Sequence, residues 1–182
     1  NVMKTLYCEL TELLAAQFKN IELFVCDIDG VFSDGRIYLG NNGEELKAFH
    51  TKDGFGVKAL IASGVPVAVI TGRKSHIVQN RMSALNVEYI IQGQEDKLPA
   101  LNQIAKELGI ALENIAYIGD DMPDYECINA VGLGIAVSDA HPLILNSADY
   151  VCQLPGGFGA VREVCDTIMQ VQGNLESASG AS

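Results

Sequence analysis

Features that would mark a membrane-bound, secreted or disulfide-bonded protein are missing from the sequence. No apolar run approaches the roughly 20 residues of a membrane-spanning helix. The 5 cysteines are an odd number without paired spacing, which indicates buried thiols in a reducing compartment and neither a disulfide framework nor a zinc site. Glu9 and Glu12 lie within the apolar pattern of residues 1–18, which is not typical of a signal peptide. We therefore expect a cytoplasmic protein with no membrane contact.

Positive charge is also scarce. The 12 Lys and Arg residues are outnumbered by 23 Asp and Glu residues, and the formal net charge is −11. This charge disfavours nucleic acid as a partner. It also means that an anionic substrate would need a bound cation and a local cluster of basic side chains. The 182 residues, of which 48% are hydrophobic and 19% charged, suffice for one domain with a full core.

Apolar runs alternate with helical patterns, which predicts an α/β fold with a doubly wound, mainly parallel, Rossmann-like sheet. We predict a single domain over residues 1–173 and a disordered tail over 174–182. Residues 40–43, Gly-Asn-Asn-Gly, predict a β-hairpin insertion. The predicted strands are 21–26, 36–39, 44–49, 65–70, 87–91, 114–118, 133–137 and 150–152. The predicted helices are an N-terminal helix through Leu10, Leu13, Leu14 and Phe18, a helix from a cap at Asp53 to 62, and helices at 75–85, 96–108, 123–130 and 159–172.

Three of the predicted strands end in polar or acidic residues: Asp27, Thr71 and Asp120. In sheets of this kind, ligands bind beyond the carboxyl ends of the strands, near the point where the strand order reverses. We therefore expect these three residues to converge in one crevice.

Asp27 and Asp29 form the first candidate catalytic pair. A carboxylate at the end of a strand can attack phosphorus, and a second carboxyl group two residues later can protonate the leaving oxygen and then activate water. Gly30 permits the sharp turn that brings the backbone close to a ligand. Such a motif alone is as often simply an acidic turn, so the prediction depends on the other strand ends.

Those strand ends supply the remaining groups that phosphoryl transfer requires. The Thr71 hydroxyl and the Gly72 amide are placed to bind phosphate oxygens, and Lys97 is placed to neutralise the phosphate and orient Asp27. Asp120 is predicted to share a Mg²⁺ ion with Asp27, because oxygen-only ligands suit that ion. The sequence therefore predicts a magnesium-dependent phosphatase.

The four motifs occur in the order found in haloacid-dehalogenase-like phosphatases, which the chain resembles over almost its whole length. In having Asp at position 29, the first motif resembles that of the phosphatase and mutase branches of the superfamily. The resemblance implies a Mg²⁺ ion held by Asp27, Asp120 and the backbone carbonyl of Asp29, with Asp121 and Asp124 in support. The segments between the motifs are too short for a cap domain, so we expect a crevice that a neighbouring subunit or a large substrate covers.

Two longer stretches, residues 27–38 and 44–54, resemble one capless family, the 3-deoxy-D-manno-octulosonate 8-phosphate phosphatases of lipopolysaccharide synthesis. Residues 155–165 are similar to the family's C-terminal segment, although Phe158 stands where the family often has Arg. The resemblance implies a small phosphorylated sugar acid as substrate, and a homotetramer whose hairpins and C-terminal segments complete neighbouring active sites. The implied substrate contacts are Asp29, His50, Thr51, Lys52, Asp53, Gly54, Lys58, Thr71, Gly72, Arg73, Arg81 and Lys97.

Two alternatives stay open from the sequence. A capless phosphatase for another keto-sugar-acid phosphate, such as a sialic-acid-type 9-phosphate, would carry the same motifs. A non-enzymatic phospho-receiver module also clusters Asp, Thr and Lys on a doubly wound sheet. However, a receiver has its phosphorylated Asp after the third parallel strand, where this chain has residues 92–94, Gln-Gly-Gln.

Overall fold

The computed structural model describes residues 2–176, which form an α/β fold. The strands are β1 (Val2–Lys4), β2 (Glu9–Thr11), β3 (Leu23–Cys26), β4 (Tyr38–Leu39), β5 (Glu45–Leu46), β6 (Val67–Ile70), β7 (Tyr89–Ile91), β8 (Ile115–Gly119), β9 (Leu133–Ala136) and β10 (Tyr150–Val151). The α-helices are α1 (Glu12–Lys19), α2 (Thr51–Ala62), α3 (His76–Ala84), α4 (Lys97–Leu108), α5 (Tyr125–Ala130), α6 (Pro142–Ser147) and α7 (Ala160–Val171). Short 3₁₀ turns lie at Leu112–Asn114 and Met122–Asp124.

Six of the strands form the central parallel sheet, in the order β10-β9-β8-β3-β6-β7. From β3 the chain moves outward through β6 and β7, and then returns to β8 on the other side of β3. The strand order therefore reverses between β3 and β8, where a ligand crevice is expected in such sheets.

Burial explains why these segments are strands. Every residue of β3, β6, β8 and β9 is buried, whereas those of the edge strand β7 are half-buried. Continuous apolar runs are typical of parallel strands that helices cover on both faces. Six of the helices form two packed groups, α7 with α1 and α2, and α5 with α4 and α6. The predicted doubly wound fold is thus confirmed.

The N-terminal segment differs from its prediction. Leu10, assigned to a helix by its spacing, lies in β2, which pairs antiparallel with β1. Helix α1 begins only after Thr11, whose side chain accepts a hydrogen bond from the Leu14 N–H and so caps the helix. Leu10 is fully buried while Leu13 is 72% exposed, so the apolar residues there do not form one helical face.

A second difference concerns the start of α2, which was expected to be capped by Asp53. His50 is the N-cap instead, and its Nδ1 accepts the Lys52 N–H at 3.1 Å. The predicted hairpin is present as β4 and β5, with shorter strands than expected. No cap domain lies between the motifs within residues 2–176.

The C-terminal end was predicted to be disordered from residue 174 onward. Within the described residues, the Asn174 N–H donates to the Met169 carbonyl at 2.7 Å, and Leu175 packs against the core. Residues 177–182 of the predicted tail lie outside the described part of the chain. Among residues 2–176 no helix is both long enough and apolar enough to cross a membrane.

Candidate active site

A crevice of about 490 Å³ lies at the carboxyl ends of the central strands. It collects Asp27, Asp29, Thr71, Lys97 and Asp120, because β3, β6 and β8 end at this edge of the sheet and α4 begins there with Lys97. The lining residues are Asp27, Asp29, Gly35, Thr71, Gly72, Arg73, Glu95, Lys97, Asp120, Asp121 and Pro123. Gly35 and Glu95 were not assigned a role from the sequence, whereas Pro123 belongs to the motif that contains Asp120 and Asp124.

Lys97 lies at the centre of the polar contacts beneath this crevice. Its Nζ is 2.9 Å from Asp27 Oδ1 and 2.9 Å from Asp124 Oδ1, and its side chain is only 3% exposed. Burial alone would lower the pKa of the Lys97 ammonium group, but the carboxylates of Asp27 and Asp124 together raise it to about 12. Lys97 is therefore charged at neutral pH and holds Asp27 from one side.

Asp124 is the hub that fixes Lys97. Its Oδ1 accepts hydrogen bonds from Lys97 Nζ at 2.9 Å and from the Tyr117 hydroxyl at 2.6 Å, and its Oδ2 accepts the Asp120 N–H at 3.0 Å. Both oxygens are thus occupied, and the residue is fully buried. Tyr117 was missed by sequence reasoning, because its ring reads as one more apolar residue of a buried strand.

Three carboxylates, those of Asp27, Asp120 and Asp124, place oxygens within 4.8 Å of one another. Burial raises the pKa of Asp120 to about 7, with a further contribution from the charge of Asp124. Burial and the charges of Asp124 and Asp120 also raise the pKa of Asp27 well above its usual range, while Lys97 opposes this. Carboxylates crowded in this way fit a divalent cation, which would offset their repulsion.

The ligand set follows from the hydrogen bonds. Because the oxygens of Asp124 are already used, Asp27 and Asp120 are the side chains left to hold Mg²⁺. Gly30 belongs to this arrangement. A Cβ at that position would lie 1.8 Å from Asp120 Oδ2, and its φ of +85° also favours glycine.

Asp29 contacts a residue that sequence reasoning did not single out. Lys47, directly after β5 of the hairpin, places its Nζ 2.8 Å from Asp29 Oδ1. The Lys47 side chain is 1% exposed and that of Asp29 is 22% exposed. A second ion pair joins Arg73 to Glu45 in β5. The base of the hairpin is thus bound to the crevice of its own chain at two points.

The predicted substrate contacts separate into two groups. Asp29, Thr71, Gly72, Arg73 and Lys97 line the crevice. The others, on or beside α2 and α3, do not line it within one chain: His50, Thr51, Lys52, Asp53, Gly54, Lys58 and Arg81.

Asp53, predicted to contact the substrate, instead makes a structural contact with helix α7. The residue is 1% exposed, and its Oδ1 accepts the Arg162 N–H at 2.9 Å, whereas its buried Oδ2 has no hydrogen-bond partner within the described residues. It therefore caps α7, whose own N-cap residue, Gly159, has no side chain for that purpose. Burial raises the pKa of Asp53, and the hydrogen bond from the Arg162 N–H opposes the rise.

The fold and the crevice together define a hydrolase of the haloacid dehalogenase class. The family model described as haloacid dehalogenase-like hydrolase matches residues 89–156. The 3-deoxy-D-manno-octulosonate 8-phosphate phosphatase of Escherichia coli strain K12 is 48% identical over 180 residues, which are 99% of this chain and 96% of that protein. At this identity and coverage, the chain belongs to the 3-deoxy-D-manno-octulosonate 8-phosphate phosphatase family.

Solved structures agree with this assignment. The crystal structure of the Yersinia pestis phosphatase of that name has a TM-score of 0.95 at 46% identity, covering 97% of this chain and 95% of that one. The Moraxella catarrhalis phosphatase, in complex with magnesium, phosphate and KDO, has a TM-score of 0.89 at 44% identity, covering 92% and 96%. The predicted superfamily and capless family are thus confirmed.

Proposed function

We propose that this protein is a Mg²⁺-dependent phosphatase that hydrolyses 3-deoxy-D-manno-octulosonate 8-phosphate through an aspartyl-phosphate at Asp27. The observation that carries the proposal is the position of Asp27. Its carboxylate lies in the crevice, 2.9 Å from the buried Lys97 ammonium, with Asp29, Thr71 and Asp120 around the same opening. A relative that is 48% identical over 96% of its own length is named a 3-deoxy-D-manno-octulosonate 8-phosphate phosphatase.

The first half of the reaction forms the phosphoenzyme. A carboxylate oxygen of Asp27 attacks phosphorus as the ester P–O bond breaks, and the Asp29 carboxyl group gives its proton to the departing sugar oxygen. Lys97 neutralises negative charge beside the phosphoryl group, while the Thr71 hydroxyl and Gly72 amide bind its oxygens. A bound Mg²⁺ ion would supply further charge neutralisation, held by Asp27, Asp120 and the Asp29 backbone carbonyl.

The second half releases phosphate. The Asp29 carboxylate takes a proton from a water molecule, whose oxygen attacks phosphorus and frees Asp27. Asp29 regains its acid form in this step, and inorganic phosphate departs. The same residue therefore acts as acid and then as base, which its position at the mouth of the crevice permits.

Selection of the sugar acid is proposed to involve Arg73 and residues from a neighbouring subunit. The hairpin exposes Tyr38, Leu39 and Leu46 at 54%, 75% and 61%, a cluster of apolar side chains that an assembly would cover. We propose a homotetramer in which His50, Lys58, Arg81 and their neighbours on α2 face a shared site. A cytoplasmic location and a role in lipopolysaccharide synthesis belong to the same proposal, as does a single domain.

A phosphate-release screen tests the proposal. The panel contains the eight-carbon sugar-acid 8-phosphate, a sialic-acid-type 9-phosphate and ordinary hexose phosphates, each with Mg²⁺ and with chelator. Preference for the eight-carbon substrate, abolished by chelation and by Asp27→Asn, is the expected result. Preference for the nine-carbon substrate would show that the proposed substrate is wrong and would leave the proposed mechanism intact. Turnover in excess chelator would contradict the magnesium mechanism.

A further inference from the structure

Lys47 is a buried ammonium group that the reaction described above does not use. It belongs to the hairpin, 18 residues after Asp29, and its side chain is 1% exposed although the residue as a whole is only half-buried. Burying a Lys side chain at the lip of a crevice costs desolvation energy, which the ion pair with Asp29 must offset. The partner that offsets this cost is Asp29, so the role of Lys47 is sought there.

The geometry at Asp29 indicates what that task is. Lys47 Nζ binds one carboxylate oxygen, Oδ1, at 2.8 Å, so the other oxygen, Oδ2, is the one available for proton exchange with a substrate. The side chain of Asp29 is 22% exposed, and the hydrogen bond from Lys47 Nζ favours the rotamer that keeps Oδ1 on Lys47. Lys47 is thus placed to determine which oxygen faces the reacting group.

The hairpin itself is held in place by a second contact. Glu45, in β5, binds Arg73, which lines the crevice, and Lys47, directly after β5, binds Asp29, which lines it as well. Two ion pairs therefore hold the hairpin against its own chain: the hairpin supplies the cation in one and the anion in the other. The position of Lys47 over Asp29 does not depend on the Lys47 side chain alone.

We propose that Lys47 is a positioning residue that orients the Asp29 carboxyl group for proton transfer to the leaving oxygen within the same chain. The hairpin then has a catalytic purpose in its own subunit, in addition to any contact between subunits. The proposal rests on the acid–base role of Asp29 in the proposed function.

The test measures kcat/KM for a series of phosphate esters whose leaving groups differ in basicity, with Lys47→Gln and Lys47→Met. An alkyl leaving oxygen needs a proton, whereas 4-nitrophenolate does not. We expect kcat/KM to fall on the order of 100-fold for the sugar-acid phosphate and at most about threefold for 4-nitrophenyl phosphate, because a misplaced acid harms only the first class. Lys47→Arg, which keeps a donor and the charge, should recover part of the loss.

Glu45→Gln is the matched control, since it releases the other attachment of the hairpin and leaves Lys47 intact. Because Glu45 binds Arg73, which is proposed to select the sugar acid, this control is measured with simple aryl and alkyl phosphates that lack a sugar acid. Their kcat/KM values should change by a similar factor, without a steeper dependence on leaving-group basicity. The same steepening in Glu45→Gln and Lys47→Gln would overturn the proposal, because hairpin docking alone would explain it. An equal loss for every leaving group in Lys47→Gln and Lys47→Met would also overturn it.

Asp29→Asn separates this inference from the proposed function. If Asp29→Asn steepens the leaving-group dependence and Lys47→Gln does not, Asp29 is the acid but Lys47 does not position it. If Asp29→Asn itself shows no steepening, the acid–base assignment fails, and the role proposed for Lys47 fails with it. Circular dichroism and unfolding midpoints of all variants show that the folded state is the one assayed.

Discussion

Replacement of Lys97 by Met gives the sharpest test of the charge arrangement beneath the crevice. The change removes one positive charge from between Asp27 and Asp124, each 2.9 Å from Nζ, and keeps most of the apolar stem. Two carboxylates that are almost fully buried then face each other and Asp120 without a cation. The variant should be inactive, but its stability is the more informative quantity.

The expected loss follows from the burial of the pair. The rise of the Lys97 pKa from 10.5 to about 12 corresponds to about 2 kcal/mol at neutral pH. Removing one member of a buried ion pair also leaves its partners uncompensated, which typically costs about 3–5 kcal/mol. We therefore expect urea unfolding of the metal-free variant to show a loss within about 2–5 kcal/mol at pH 7.5.

Magnesium should reverse part of this loss. A cation between Asp27 and Asp120 offsets the same repulsion, so saturating Mg²⁺ should stabilise Lys97→Met more than it stabilises the wild type. Lys106→Met, on the exposed side of the same helix, is the control and should lose well under 1 kcal/mol. A loss equal to that of the control, or identical stabilisation by Mg²⁺ in wild type and variant, would refute the reasoning.

Three further predictions concern the nucleophile, the metal-free protein and the assembly. Asp27→Asn should lower kcat by several orders of magnitude and give no acid-stable phosphoenzyme in a trapping assay, because the attacking oxygen is lost; labelled phosphoenzyme in this variant would contradict the assignment. The pKa of Asp120, raised from 3.8 to about 7, means that folding of the metal-free chain is favoured by proton binding. The contribution of Asp120 to the free energy of unfolding is fully present below pH 3.8 and is lost as the pH rises through 7. In chelator, the free energy of unfolding should therefore fall between these two pH values. Bound Mg²⁺ should make the free energy of unfolding less dependent on pH. Finally, light scattering should find an oligomer that Leu39→Glu dissociates, since this side chain is 75% exposed in one chain; a monomeric wild type would contradict the tetramer.

The crevice could be predicted from the sequence because the residues that line it lie at the ends of separate strands. Asp27, Thr71 and Asp120 each end a buried apolar run, and parallel strands bring their carboxyl ends to one edge whatever the details of packing. Lys97 was predictable for a similar reason, since it begins the helix that follows β7. The fold class followed from the alternation of strands and helices alone.

Contacts between distant segments were decided by the tertiary structure. The pairing of Lys47 with Asp29 depends on how the hairpin folds back. The hydrogen bond between the Asp53 side chain and the Arg162 N–H depends on the packing of α7 against α2. Neither has a signature at short range, because a long or buried polar side chain finds its partner only after the elements have packed. The N-terminal ribbon illustrates the same limit, since Leu10 matched a helical period but was buried by strand pairing.

The sequence by itself thus determined the order of the motifs along the chain, the fold class and the residues that carry charge at the strand ends. Only the tertiary structure decided which of the acidic side chains bind one another and which remain open to a ligand. Asp124 shows the difference most clearly: four hydrogen-bond donors, from Lys97, Tyr117 and the backbone of residues 120 and 121, occupy its oxygens. A carboxylate's role depends on the donors that reach it, and these donors are brought together only by folding.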